Sequence, residues 1–337
     1  MRACVVGAGV VGLLTAMELQ RELGASLDLT ILADKFNEET TGDGAAGFFY
    51  PSTYFAGPTF DVTKQWIRDS FEWYSAVCWS DQARAAGVAE VTGYFFSNQS
   101  RDRVRNPVME ELCPEYRDAT EDELQLIPGG ARFGTYASTL IVECRYFLPW
   151  ALHRIQAAGG RVQRRAVSRL DNLSEDFDAV FNCTGLGAAK LCGDHTLVPV
   201  RGQVYKVTAP WIKTFTYFDR DTYIIPNRHQ VTLGGSRWLG NYSLEVDAHE
   251  SAAIWERCVS VVPSLQAARV QRQWVGLRPF RCPVRVEADK ALGSDTFTVV
   301  HNYGHGGYGI TSAPGTARHA VKAFREQHRA GVGSCKL

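Results

Sequence analysis

The chain has 337 residues, 45% of them hydrophobic, and 36 Lys and Arg balance 36 Asp and Glu. That apolar content suffices for a packed core, with length for two domains. The balanced charge argues against a nucleic-acid or anionic-membrane surface. The 9 cysteines are odd in number and lack C-x-x-C or metal-ligand spacing. Reduced thiols in an intracellular setting, and no metal site, are therefore expected. No stretch is apolar enough to span a bilayer, and the glycine-patterned N-terminus does not read as a signal peptide.

The first element is a short apolar strand, Cys4-Val5-Val6, which runs directly into Gly7-Ala8-Gly9-Val10-Val11-Gly12. This is G-x-G-x-x-G at a strand end. Leu13, Leu14, Ala16, Met17, Leu19 and Leu23 then recur at helical spacing. In this pattern the first glycine permits a tight turn. The second lets backbone approach a pyrophosphate, and the third lets helix and strand pack closely. The phosphates would meet the free N–H groups and the positive dipole end of the helix. Leu27 to Leu32 reads as a second buried strand delivering Asp34, roughly 20 positions on, where an acidic residue holds a ribose hydroxyl. Strand, motif, helix, strand and acid in that order predict a parallel, Rossmann-like unit.

Thr40-Thr41-Gly42-Asp43-Gly44-Ala45-Ala46-Gly47 follows as a loop of small residues, open to a large flat group. Trp66, Ile67, Phe71, Trp73 and Tyr74 suggest an amphipathic helix, and Glu90 to Phe96 a strand. Thr120 before Glu121, Asp122 and Glu123 has helix-start character. Ser138 to Val142 reads as a further strand. A long helix is expected from about Arg145, then Gly159-Gly160 and Arg161 to Val167. Phe177 to Cys183 is a buried strand running into Thr184-Gly185-Leu186-Gly187, a return to the parallel sheet. Residues 202–285 look strand-rich, with Val204 to Val207, Thr222 to Ile225 and Val231 to Leu233 β-branched or alternating. Thr296 to His301 is a last strand. A second glycine loop, Gly304 to Thr311, precedes a closing helix over Ala317 to Phe324. The expected fold is α/β. A Rossmann-like domain (1–50, 145–201 and 286–330) interleaves with a mixed-sheet α+β substrate domain (51–144 and 202–285). A tail, 331–337, ends in Cys335-Lys336-Leu337, close to a peroxisomal address. It predicts an import-receptor partner and a peroxisomal location.

The sequence resembles the D-amino-acid oxidase and D-aspartate oxidase flavoenzymes along nearly its whole length. The resemblance rests on Val5 to Leu13, Ala45-Ala46-Gly47, Asn182-Cys183-Thr184-Gly185, Val200-Arg201-Gly202-Gln203 and Thr232-Leu233-Gly234-Gly235. Gly276-Leu277-Arg278-Pro279 and Tyr303-Gly304-His305-Gly306-Gly307-Tyr308-Gly309 complete the set. It implies bound FAD and oxidation of a D-amino acid to an imino acid, which hydrolyses to a 2-oxo acid and ammonia, with dioxygen reduced to hydrogen peroxide. Gly7, Ala8, Gly9, Val10, Val11 and Gly12 would hold the pyrophosphate, and Asp34 and Lys35 the adenosine ribose. Thr40, Thr41, Ala46, Gly47 and Phe48 would line the flavin side, and Val167, Thr184 and Gly185 the adenine half. Gly306, Gly307, Tyr308, Gly309, Ile310 and Thr311 would wrap the isoalloxazine edge.

By the same resemblance Arg278 and Tyr223 hold the substrate's α-carboxylate. A planar guanidinium grips a carboxylate through two parallel hydrogen bonds. The Gly307 carbonyl would accept from the substrate amine. No side chain need act as base, so His305 is expected to be positional. Arg237, with Arg220 and Ser52, would face the substrate side chain. This favours D-aspartate, then D-glutamate, because an unpaired buried charge is costly. The chain departs from the aspartate-oxidising pattern in having Ser52 for a histidine; Ala313-Pro314 replaces a His-Trp pair usual in vertebrate relatives, and the lid over Tyr217 to Thr222 is short. The Gly307-Tyr308-Gly309 loop looks more like that of neutral-substrate members. An oxidase of neutral D-amino acids, a nicotinamide dehydrogenase and a non-catalytic FAD module remain the alternatives.

Overall fold

The computed structural model describes residues 1–52, 55–219, 221–294 and 297–334. Its strands are β1 (Arg2–Val6), β2 (Asp28–Ala33), β3 (Val88–Ser97), β4 (Tyr116–Asp118), β5 (Phe133–Val142), β6 (Arg161–Arg164) and β7 (Ala179–Asn182). They continue as β8 (Val198–Thr208), β9 (Phe215–Phe218), β10 (Thr222–Pro226), β11 (Val231–Gly234), β12 (Trp238–Leu239), β13 (Arg269–Ser294) and β14 (Phe297–His305). All join one sheet in the order β4-β5-β3-β9-β10-β11-β8-β13-β14-β7-β1-β2-β6, with β12 beside β8.

The two ends of this sheet obey different rules. From β6 through β2, β1 and β7 to β14 every pairing is parallel, and Val5 faces Ile31 on one side and Phe181 on the other. Such strands are covered on both faces, so they read as continuous apolar runs rather than alternating ones. From β14 through β13, β8, β11 and β10 to β9 the pairings are antiparallel. β13 bridges the two regimes. It pairs with β8 along one edge and β14 along the other, with register shifts near Phe280/Arg285 and Asp289/Ser294.

The core under the parallel half follows from the periodicity of the first helix, Val10–Leu23. It buries Leu13, Leu14, Ala16 and Leu19 to 2% exposure or less. Each such leucine contributes about 1.5–3 kcal/mol. They pack with Trp66, Ile67 and Tyr74 from the helix Phe60–Cys78 and with Phe147, Leu148 and Ile155 from the helix Cys144–Ala157. A second cluster lies where the helix Ala248–Val261 covers β8, β10 and β11. Thr120 caps the helix Glu121–Leu124 through a reciprocal box with Glu123, as its spacing predicts.

Two expectations need correction. The closing helix does not begin at Ala317 but runs Gly309–Ser334, with Pro314 inside its first turns. Pro314 forgoes the one intrahelical bond that an N–H there would make to the Ile310 carbonyl. The second glycine loop is correspondingly short. β14 continues through His305, and only the turn Gly306–Tyr308 separates strand from helix. Within the short segment Tyr217 to Thr222, Thr222 pairs with Phe218. Arg220 and Cys335-Lys336-Leu337 lie outside the described residues.

Candidate active site

The glycine motif brings backbone into close contact at the strand–helix turn. Gly7 has φ +111, and a Cβ there would lie 2.5 Å from the Cys183 carbonyl oxygen. A Cβ on Gly12 would lie 2.0 Å from the Gly7 carbonyl oxygen. Both positions are thus closed to any side chain. Gly9 is the opposite case: nothing lies within 4 Å of its would-be Cβ. It is also the N-cap of the helix Val10–Leu23, and no side chain caps it. The first N–H groups of that helix therefore have no side-chain cap, and the space beside Gly9 is open, as binding of an anion there would require.

The second glycine set arrives at the same place. A Cβ on Gly309 would meet Val10 at 3.8 Å and Val11 at 3.9 Å. Ile310 and Thr311 are buried, and the Tyr50 amide donates to Thr311 Oγ1 at 3.4 Å. Asp34 and Lys35 are exposed at the end of β2. The Asp34 carbonyl accepts from Arg164 at 2.7 Å, so its carboxylate is not consumed by that bond. Thr184 donates to Asn182 Oδ1 at 2.7 Å, while Gly185 adopts φ +55 beside Pro279. Val167 packs on the cluster around Cys4, Val6 and Leu32, at the β1–β2 end of the sheet.

A polar network absent from the sequence reading holds the small-residue loop. Asp43 is 5% exposed and accepts from Arg145 twice at 2.9 Å and from Arg272 at 3.1 Å. Burial raises its pKa, but the bonds from Arg145 and Arg272 outweigh it and hold the carboxyl below its ordinary range. Lys206, fully buried on β8, donates to Thr232 Oγ1 at 2.9 Å and to the Ala45 carbonyl at 3.3 Å. Thr232 donates to Asn227, whose amide donates to the Ala46 carbonyl at 2.8 Å. Gly47 packs with φ +77 against the Val142 carbonyl, and Thr41 Oγ1 donates to the Leu277 carbonyl at 3.3 Å. Arg145, Lys206, Asn227, Arg272 and Leu277 each lie more than 100 positions from the loop residue they bond, so local pattern carries no signal for them.

Beyond this loop Arg278 projects from β13. Its guanidinium lies on Gly202, and its Cδ would be 3.1 Å from a Cβ on Gly307. Nη1 donates to the Ser236 carbonyl at 3.1 Å. Tyr223 lies across Gly234, its register partner on β11, and Gly235. Burial raises the Tyr223 pKa, offset partly by the nearby Arg278 and Arg237 charges and a hydrogen bond with Arg278. The phenol therefore stays protonated as a donor at neutral pH. Tyr217 stacks on Tyr223 at 5.3 Å, on Tyr50 at 5.7 Å and on Phe48 at 5.4 Å, forming an aromatic wall. Arg237 shares a cavity with Tyr50, Ser52, Phe95 and Tyr217. Burial opposes its charge, but Tyr308, Tyr217, Tyr223 and Asp221 outweigh burial and raise its pKa. His305 is 3% exposed, bonds Thr316 Oγ1 at 3.0 Å, and is pushed by burial down to about 3. A neutral, enclosed imidazole of this kind is a positional group.

The FAD dependent oxidoreductase family (DAO) matches residues 2–323. The chain belongs to this family. It is 41% identical to the D-aspartate oxidase of Homo sapiens over 331 residues, which is 96% of this chain and 95% of that one. It is 34% identical to a D-amino-acid oxidase of Rubrobacter xylanophilus, covering 95% of this chain and 94% of that one. Among solved structures, glycine oxidase from Geobacillus kaustophilus superposes with a TM-score of 0.79 over 96% of this chain and 95% of that one, at 17% identity. That likeness establishes the fold. The family uses FAD, and the residues present fit it: an uncapped helix N-terminus faces open space at Gly9, and two glycine turns meet there. Among the described residues no His, Cys, Asp and Glu group could hold a metal ion, and no helix is long and apolar enough to cross a membrane.

Proposed function

We propose that this FAD-dependent oxidoreductase oxidises acidic D-amino acids, D-aspartate before D-glutamate. The observation that carries this reading is Arg237, which shares a cavity wall with Tyr217, itself stacked on the Tyr223 that meets Arg278. Both guanidinium charges act on Tyr223, which suits a substrate with a carboxylate at each end. The similarity to a human D-aspartate oxidase supports the same choice.

In this reading Arg278 and Tyr223 grip the α-carboxylate and fix the α-carbon, an orientation term of several kcal/mol. The Gly307 carbonyl accepts from the amine, which reacts as the neutral form. Arg237, with Arg220 and Ser52, faces the distal carboxylate. FAD, when bound, supplies a two-electron acceptor for the hydride from the α-carbon and passes the pair to dioxygen, giving hydrogen peroxide. The imino acid left behind takes up water to release ammonia and a 2-oxo acid. The amine's own lone pair drives hydride loss, so no side-chain base is needed, and His305 is neutral and bonded elsewhere.

Residues 1–50, 145–201 and 286–330 form the FAD-binding part in this proposal. All of β1, β2, β6, β7 and β14, the parallel strands, come from them. Residues 51–144 and 202–285 supply the mixed-sheet substrate part, antiparallel apart from the parallel pair β3–β9, and β8 and β13 run across the boundary. Cys335-Lys336-Leu337 would be read by a peroxisomal import receptor, which places a peroxide producer in the organelle that destroys peroxide.

A peroxide assay over matched D- and L-amino acids tests the reading. Turnover of D-aspartate well above D-alanine is expected, with none of the L-enantiomers active. Preference for D-alanine would instead establish the neutral-substrate alternative.

A further inference from the structure

The cavity that holds Arg237 is also lined by a second cationic side chain, Arg103. The two come from separate elements. Arg237 follows β11, whereas Arg103 ends the turn Arg101–Arg103 in the connection after β3. Its neighbour Val104 is 3% exposed and packs with Phe95 and Phe215, which anchors the turn. Arg103 Nη1 donates to the Asp219 carbonyl at 3.2 Å. That acceptor is neutral, and the Asp219 carboxylate itself accepts from Ser97 Oγ at 2.6 Å. The bond orients the guanidinium without cancelling its charge, and a guanidinium retains further donors.

We propose that Arg103 is a specificity-determining residue that reads the distal carboxylate of a dicarboxylic D-amino acid together with Arg237, with which it lines one cavity. This rests on the acidic-substrate reading above. A carboxylate offers about four acceptor positions, and one guanidinium fork satisfies about two. In a cavity walled by Tyr50, Phe95 and Tyr217, the remaining positions would be stripped of water and left unpaired. Arg103 supplies their donors. A neutral side chain entering the same space offers no acceptor to the remaining Arg103 donors, so Arg103 also discriminates against neutral substrates.

The test uses the FAD-loaded enzyme as wild type, Arg103→Leu and Arg103→Lys. Two ratios are measured: kcat/KM for D-aspartate over D-alanine, and the Kd of succinate over that of butyrate from perturbation of the flavin absorbance. Succinate is aspartate without its amino group and cannot be oxidised, and butyrate lacks the distal carboxylate. Arg103→Leu should lower the first ratio at least about tenfold, through KM, and weaken succinate against butyrate by a similar factor, the effect of one lost charge-assisted hydrogen bond. Arg103→Lys should restore part of both, because it returns the charge without the fork. Wild-type ratios in Arg103→Leu, with acid preference intact in the parent enzyme, would overturn the role of Arg103 and leave the acidic-substrate reading standing. A parent enzyme that prefers D-alanine and does not distinguish succinate from butyrate would overturn both.

Discussion

The guanidinium of Arg278 lies so close to Gly202 that a Cβ on that glycine would sit 2.0 Å from Nη1. The two residues are on neighbouring strands, with Gly202 opposite Gly276 and Arg278 opposite Val200. The arginine is aimed by the absence of a side chain across the ladder. Gly202→Ala must therefore displace the guanidinium, at a cost typical of overpacking, about 1–3 kcal/mol. We expect KM for every substrate to rise, with FAD still bound, and steady-state kinetics on two chemically different D-amino acids will measure it.

Arg278→Leu should abolish most turnover of acidic and neutral substrates alike. Removing one partner of a hydrogen-bonded charge pair costs about 2–5 kcal/mol, or roughly 30- to 5000-fold in kcat/KM. The flavin spectrum should be retained. Preserved activity on any D-amino acid would contradict the assignment of Arg278 to the α-carboxylate.

Arg237→Leu should act selectively. Turnover of D-aspartate should fall by about 10- to 100-fold more than that of D-alanine, as expected for lost charge-assisted hydrogen bonds to a side-chain carboxylate. Equal losses on the two substrates would mean that Arg237 does not read the side chain.

Gly9 and Gly12 should separate cofactor binding from folding. Gly9→Ala places a methyl in open space. The thermal midpoint of the apoprotein should hardly move, while FAD affinity, read by quenching of flavin fluorescence, falls at least about tenfold because the pyrophosphate needs that space. Gly12→Ala drives its methyl into the Gly7 carbonyl and should lower the apoprotein midpoint as well.

Lys206 should leave a signature in the pH dependence of stability. Burial, reinforced by the Arg272 charge and opposed by Asp43 and Glu143, pushes its amine down to about 7 from an ordinary 10.5. Between those values the unfolded chain binds a proton that the folded chain does not. Stability therefore rises with pH across this window, by up to about 1.4 kcal/mol per pH unit from this group. The cost is present in full below about pH 7. Urea midpoints between about pH 7 and 9 should climb more steeply in the parent than in Lys206→Met. Parallel curves would show that the amine is already charged in the folded protein.

Local pattern was enough for the parallel half of the fold and the glycine cradle. A strand buried on both faces must be apolar throughout, and a turn with φ +111 at Gly7 admits little but glycine. Both requirements act within a dozen residues and leave their mark on that stretch of chain. The family-specific motifs likewise singled out Arg278, Tyr223 and Arg237, which the fold brings into one neighbourhood around Tyr223. Pairing across long separations leaves no such mark. Asp43 meets Arg272 at 3.1 Å across 229 positions, Lys206 meets Ala45 at 3.3 Å across 161, and Arg103 comes to share a cavity with Arg237. Each of these side chains, taken in its own segment, is an ordinary surface charge. It gains a role when strands from distant segments are brought together in one sheet and water is excluded between them, because the strength of a charge–charge contact depends on the medium as much as on the partners.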